Sequence, residues 1–468
     1  MHTSAWSRRM GIAAALSCAL LSRTALAQPA GASVTPSASA PATSTAPPPT
    51  PAPAPDAPAP VTLGLPAANS APDVAPGANA GANAGAPPAA SPAASPAPKD
   101  KPSTFSAVQS SLKGWFERIQ LRGYTQVRYN QIGETNENLR NIQGDRSIGG
   151  DGGFLIRRAR LILQGDVHDH LFIYLQPDFA TIVGDQLHVP TLRDWYADVT
   201  LDEAKEFRFR VGQSKVPFGF ENMQSSSNRA PFDRADATNG TFKDERELGV
   251  FFYYAPARIR ALYRDLANAE MKGSGDYGVV ALGAFNGQGA NKLEKNATPH
   301  VIARVTYPFE IGGQILEAGV AAYHGLYDVS TSDEVTVDGS MRDVRAIGSL
   351  VLYPRPIGLQ LEYTIGRGPE LVGSRIEERS LHGGYALVSA RIHDFTPYAR
   401  VSLYRGARKF ETDAPRYKVN EVELGVEWRT FKALELTAAY AFAERTFPEP
   451  PYQQESGRLL RLQVQFNY

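Results

Sequence analysis

Leu460-Arg461-Leu462-Gln463-Val464-Gln465-Phe466-Asn467-Tyr468 places apolar side chains at the even positions and polar ones at the odd positions. Side chains on a strand point alternately to opposite faces, so this stretch has one wholly apolar face and one wholly polar face. At the edge of a soluble sheet such a face is an aggregation hazard. In a closed membrane barrel the apolar face meets lipid and the edge pairs with the first strand. The last strand of a soluble sandwich is the rival reading. The terminal aromatic residue also looks like the signal that outer-membrane barrel assembly machinery reads, which makes that machinery an expected partner during biogenesis.

The chain has 468 residues, a single Cys, and 48 basic against 48 acidic side chains. That balance argues against a nucleic-acid binder, which needs a basic surplus to neutralise phosphates. Arg8 and Arg9 precede the apolar run from Gly11 to Leu21, and Ala25-Leu26-Ala27 fits a cleavage site before Gln28. Together they predict a bacterial secretory signal peptide over residues 1–27. Cleavage there removes Cys18. Lipoprotein processing at Cys18 is the weaker reading, because Leu16 stands one place too close and the apolar run is cut in half. No later stretch reaches the roughly 20 apolar residues of a spanning helix. A mature chain in a membrane must therefore cross it with strands.

Residues 28–104 are almost entirely Ala, Pro, Ser, Gly and Thr. Such a segment buries too little surface to offset its ordering entropy, which predicts a disordered periplasmic tether. Whether it binds peptidoglycan or only spans space stays open. Phe105, Val108, Leu112, Trp115 and Phe116 recur at roughly helical spacing, predicting a short amphipathic helix over 105–118.

From Ile119 to Tyr468 the period is two. Gln120, Arg122, Tyr124, Gln126, Arg128 and Asn130 oppose Ile119, Leu121, Gly123, Thr125, Val127 and Tyr129. Likewise Arg158, Arg160, Gln164 and Asp166 oppose Ala159, Leu161, Leu163 and Val167, and Arg208 and Arg210 oppose Phe207, Phe209 and Val211. Charge on one face of strand after strand requires a wet interior. Short turns at His168–His170, Asp202–Lys205, Pro308–Gly313, Pro354–Pro356, His393–Phe395 and Phe431–Ala433 alternate with eight longer polar loops. Long loops on one side and short turns on the other are the habit of outer-membrane barrels. The expected fold is all-β, a transmembrane antiparallel barrel of about 16 strands, with 18 left open. Ile259–Leu266 resists the count, since a strand there makes the total odd; Pro256–Gly275 is read as an enlarged inner connection. A barrel of this size encloses an aqueous channel.

The ordered motifs Phe154-Leu155-Ile156-Arg157-Arg158-Ala159-Arg160, Gln176-Pro177-Asp178-Phe179-Ala180, Leu192-Arg193-Asp194, Arg210-Val211-Gly212-Gln213, Pro217-Phe218-Gly219-Phe220-Glu221 and Arg246-Glu247-Leu248-Gly249 resemble the phosphate-selective porin O and P family. The resemblance implies a 16-stranded porin, usually a homotrimer, whose third outer loop folds into the pore. Ser214–Glu245 is the matching loop, longer than structureless loops usually are without a functional reason. Its implied constriction residues are Asn222, Arg229, Arg234 and Lys243. Arg157 and Arg158 match the paired arginines at the constriction of anion-selective members, and Asp194 matches an acidic residue near the anion site. Arginine suits the role because it stays charged and offers several donors to an oxyanion. Two positions depart from phosphate-specific members: Tyr124 stands where they have Arg, and Asn222 where they have Lys.

The residues thus expected to line the channel are Arg122, Tyr124, Arg157, Arg158, Arg160, Asp194, Arg208 and Arg210. The arginines have two readings: a cationic path for anions, or pairing with Asp166, Asp178, Asp194 and Asp198 that only holds a wet wall together. Strict alternation turns Arg157 away from Arg158, which puts one of them at a bulge, at the rim, or in a trimer contact. His168, Asp169 and His170 read as a solvated turn rather than a metal site, and Gly273-Ser274-Gly275 as a turn without a nucleophile. Trp195, Trp428 and Tyr468 are assigned to aromatic girdles. No cofactor and no enzymatic activity are expected. The function implied is passive diffusion of small hydrophilic solutes with a preference for anions, phosphate or polyphosphate being the sharper form, and lipid, anions or small polar solutes being the partners. A tether from outer membrane to cell wall with an incidental pore is the alternative, and a membrane-embedded hydrolase the more distant one.

Overall fold

The computed structural model describes residues 117–132, 152–183, 186–241, 246–447 and 453–468. The expected signal peptide, the tether and residues 105–116 of the expected amphipathic helix lie outside them, as does Lys243; Glu117 and Arg118 form a turn. Among the described residues sixteen strands are present. They are β1 (Ile119–Ile132), β2 (Gly152–His168), β3 (Leu171–Val183), β4 (Gln186–Thr200), β5 (Phe207–Lys215), β6 (Arg246–Tyr254), β7 (Val280–Phe285) and β8 (His300–Ile311). There follow β9 (Gln314–Tyr327), β10 (Met341–Leu352), β11 (Ile357–Val372), β12 (Arg375–Ala390), β13 (Phe395–Ala407), β14 (Arg416–Phe431), β15 (Leu434–Phe447) and β16 (Gln453–Asn467). Each pairs antiparallel with its sequence neighbours, and β16 returns to β1 to close the barrel. The eighteen-strand alternative is thereby set aside.

Burial is inverted relative to a soluble protein. Leu121, Val320 and Ile365 are 69 %, 64 % and 56 % exposed, whereas Arg128, Arg345 and Arg461 are at most 1 % exposed. Apolar side chains form a continuous outer belt far larger than a soluble monomer carries, and charges face the lumen. This is the pattern a barrel needs when its solvent outside is lipid.

The even strand number leaves the start of β1 and the end of β16 at the same end of the barrel, the end that carries the short turns. Short turns are present at all six places the sequence assigns them, although Pro308 to Ile311 still belong to β8 and leave only Gly312 and Gly313 as that turn. Three of the expected long loops are shorter than read, because the strands continue into them: β3 runs to Val183 and β4 starts at Gln186, β11 runs to Val372 and β12 starts at Arg375, and β15 runs to Phe447 and β16 starts at Gln453. Pro256–Gly275 is an enlarged connection between β6 and β7, as expected. Ile259–Leu266 is neither strand nor loop but lies in a helix, α3 (Ala257–Asn268), whose Ile259, Tyr263 and Leu266 recur at helical spacing and are buried. They pack on Ile315 of β9, Val351 of β10 and Tyr353, so the helix sits within the mouth of the barrel.

Candidate functional site in the barrel lumen

Residues 216–241, between β5 and β6, turn into the lumen and include two short helices, α1 (Phe220–Met223) and α2 (Asp236–Thr241). Apolar side chains seat the loop. Val216 and Phe218 rest on Phe251, Phe285, Tyr323 and Ile347 of the lumen wall, and Ala230, Phe232 and Ala235 rest on Tyr385, Leu387 and Tyr398 across it. The backbone N–H groups of Phe220 and Glu221 both donate to the Glu362 carboxylate, at 2.5 and 2.8 Å.

Charge pins the loop on the remaining side. The Asp233 carboxylate receives Arg128 of β1 at 2.8 Å and Arg461 of β16 at 2.9 Å. Arg158 and Arg157 of β2 lie 3.4 and 3.6 Å from its other oxygen. Arg157 reaches it because β2 has a bulge: Gln126 pairs with Arg158 and Val127 with Ile156, leaving Arg157 as the extra residue. Of the three sites open to Arg157 on sequence grounds, the bulge is the one present. Four guanidiniums thus share one loop carboxylate, a contact the alternation of β1, β2 and β16 makes legible only once the loop's path is known.

The other expected site residues divide by partner. Arg160 binds Asp178 at 2.6 Å, and Arg210 binds both oxygens of Asp198 at 2.7 and 2.9 Å. Arg208 reaches Asp276 at 2.9 Å, and Asp194 is held by Arg246 at 2.9 Å. Asp166, offered as a partner for the strand arginines, instead takes Lys205 at a turn, 2.7 Å away. Arg122 is exposed and donates to Gln164 at 3.2 Å. Tyr124 is buried, with its hydroxyl 2.6 Å from Ser226 and 2.9 Å from Arg160, so it fastens the loop. Asn222 is spent likewise: it donates to the Val216 carbonyl and accepts from Arg234, both at 3.1 Å. Arg229 is buried, and its Nε and Nη1 have no hydrogen-bond partner.

Between the loop and strands β1–β5 a cavity of about 940 Å³ remains. Its charged lining is Arg122, Arg157, Arg158, Arg160, Arg193, Arg210, Lys215, Arg229, Arg234, Arg246 and Lys292 against Asp178, Asp194, Asp233 and Asp276. Arg208 stands beside this lining, buried and turned to Asp276, which belongs to it. Sequence reasoning gives no channel role to Arg193, Lys215, Lys292 or Arg461. The position of Arg461 on the polar face of β16 is legible from alternation, whereas Lys292 lies in a loop with no periodic signal. Trp195 and Trp428 face outward, 58 % and 41 % exposed. Among the described residues no three His, Cys, Asp or Glu side chains gather as a metal site.

A closed barrel with an apolar outside, a charged lumen and a loop folded into that lumen is the architecture of a transmembrane β-barrel with a polar interior. Residues 129–347 match the family model of phosphate-selective porin O and P, so the resemblance carried by the motifs is a family match over that stretch. Among solved structures, the outer membrane channel DcaP of Acinetobacter baumannii aligns with a TM-score of 0.52 at 14 % identity, covering 75 % of this chain and 97 % of that one. Salmonella typhi OmpF in complex with daunomycin aligns at 0.49 and 11 % identity, over 75 % and 97 % of the two chains. An anion-selective porin from Comamonas acidovorans aligns at 0.44 and 12 % identity, over 75 % and 99 %. No curated protein sequence matches the chain.

Proposed function

We propose that the protein is an outer-membrane porin through which small hydrophilic solutes diffuse passively, with a preference for anions. The observation that carries this reading is the cavity lining, where among the described residues eleven cationic side chains stand against four acidic ones. Fixed charge at a narrow place selects ions by sign, and low-dielectric walls strengthen its field. Pairing lowers the effective surplus, since Arg160, Arg210 and Arg246 are each matched by an aspartate. The surplus left over is still basic, because Asp233 is shared by four arginines.

A dedicated phosphate site is the sharper form and is less well supported. Tyr124 and Asn222 stand where cationic partners are expected in phosphate-specific members, and both are engaged in holding the loop. Insertion by the barrel assembly machinery, assembly as a homotrimer in outer-membrane lipid, and contact of the N-terminal tether with peptidoglycan belong to the same proposal. So does a periplasmic placing of the short-turn end.

The test is the reversal potential of the purified protein in a planar bilayer under a potassium chloride gradient, followed by titration of phosphate. Anion selectivity supports the porin reading; cation selectivity or none overturns the preference. Block of the chloride current by phosphate at low concentration restores the sharper form.

A further inference from the structure

The connection between β6 and β7 does more than join two neighbours. Around a ring of sixteen strands, the pair β14 and β15 lies eight places from the pair β6 and β7, diametrically opposite. Lys272 of this connection nevertheless bonds Glu427 of β14 at 2.6 and 2.5 Å and lies 3.9 Å from Glu435 of β15. The segment therefore crosses the whole short-turn mouth. It is fastened on the far side by Arg391 of the β12–β13 turn, which donates to the Ala269 carbonyl at 2.7 Å, and by an ion pair between Glu270 and Arg429. It also meets the constriction loop: Gln224 donates to the Lys272 carbonyl at 2.5 Å and Asn228 to that of Gly273 at 3.3 Å.

The crossing divides the mouth into unlike halves. On one side α3 fills the space against β9 and β10. On the other side lies the basic cavity, whose lining includes Ser274 to Tyr277 of this same connection. The lumen face of β14 and β15 carries Glu421, Glu423, Glu427 and Glu435, all buried. Lys272 is itself 5 % exposed, with its ammonium between two of these carboxylates.

We infer that Lys272 is a specificity-determining residue: its bridge to Glu427, with Glu435 beside it, latches residues 269–273 across the mouth, withdraws those carboxylates from the permeation path, and directs passage to the basic side. Without the ammonium the crossing is freed and Glu427 loses its nearest cation, while Glu435 keeps Arg429 at 2.6 Å and Glu427 keeps it only at 3.4 Å. Opposite charge then lines the mouth, and a ring of carboxylates favours cations. This inference rests on the porin reading, but it does not require that the intact pore prefer anions.

The test uses the full-length protein in planar bilayers under a potassium chloride gradient, comparing wild type, Lys272→Glu, Lys272→Gln, and Lys272→Glu combined with Glu427→Lys. Both single variants are expected to raise single-channel conductance by roughly twofold and to lower the anion-over-cation permeability ratio several-fold, Glu more than Gln; the exchanged pair is expected to recover most of both. Folding of each variant is read from its faster migration in unheated SDS gels. Folded single variants with unchanged conductance and permeability ratio overturn the latch, as does an exchanged pair no closer to wild type than Lys272→Glu. If the wild type itself shows no anion preference, the proposed function fails, while the shift between wild type and variants still decides the role of Lys272.

Discussion

At the residue scale, Asp233 and Arg229 give the constriction loop two kinds of charge. Asp233 is structural: removing one partner of a buried ion pair costs about 3–5 kcal/mol, because the charge left behind is uncompensated. Here four guanidiniums converge on one carboxylate. Asp233→Ala is therefore expected to release the loop while the sixteen-stranded wall persists. Trypsin then cuts at Arg229 or Arg234 in the folded barrel, cuts that the wild type resists, and fragment masses check it. Arg229 holds nothing in place through its Nε and Nη1, which lack hydrogen-bond partners. Arg229→Ala is expected to keep the protease resistance and the thermal transition, yet to lower the anion-over-cation permeability ratio measured in a bilayer. The contrast tests the two arginine readings residue by residue: Arg160 and Arg210 are paired with Asp178 and Asp198, whereas Arg229 is the one expected to act on the permeating ion.

At the scale of elements, the connection between β6 and β7 is anchored at its near end by Asp276, which binds Arg208 at 2.9 Å and Arg260 at 3.0 Å. Burial pushes this carboxyl up, but the two guanidiniums and the Gly278 amide outweigh it and hold it below its ordinary 3.8. A carboxyl depressed in the folded state contributes stability that is present above its unfolded value and is lost as pH falls through its folded one. The connection should thus stay closed on acidification past the ordinary carboxylate range and loosen only below it. Pepsin cleavage within α3, followed as pH is lowered, checks the window, and Asp276→Asn should expose Tyr263 or Leu266 to chymotrypsin at neutral pH. This element is also where the sequence spoke least clearly. Strands announce themselves because period two repeats, and the odd-strand argument weighed against a strand at Ile259–Leu266 by topology alone. The same residues gave no sign of crossing the mouth, since the bond from Lys272 to Glu427 joins positions 155 apart in the chain. The constriction loop was legible in outline through its length and motifs. Its fastening by Tyr124 and Asn222 was not, because both read only as missing cations until Ser226, Val216 and Arg234 are placed beside them.

At the scale of the whole molecule, everything inside the lumen depends on one seam. The alternation of Leu460 to Tyr468 foretold a strand with lipid on one side, and β16 does pair with β1, from Asn467 opposite Tyr124 to Leu459 opposite Ile132. Beyond that register Gly123 and Tyr468 exchange backbone hydrogen bonds, at 2.6 and 3.0 Å. The Tyr468 hydroxyl lies 3.3 Å from Thr125, and its ring lies over Gly123. A Cβ at Gly123 would meet Cε2 of that ring at 2.4 Å and the Arg160 carbonyl at 2.5 Å. The ring can swing aside, but the carbonyl belongs to a strand whose side chain is fixed to Asp178, so the added carbon must push β1 away from β2, from β16, or from both. A barrel has no edge to relax into, and in lipid every unpaired backbone group costs several kcal/mol. Gly123→Val should accordingly weaken closure of the entire barrel rather than one loop. The measurement is the temperature at which the fast-migrating folded band disappears from SDS gels, expected to fall in Gly123→Val. Tyr468→Ala should fall less, because it removes the ring and leaves the seam's backbone bonds in place. Equal melting of Gly123→Val and wild type would mean that closure does not depend on close backbone approach at Gly123.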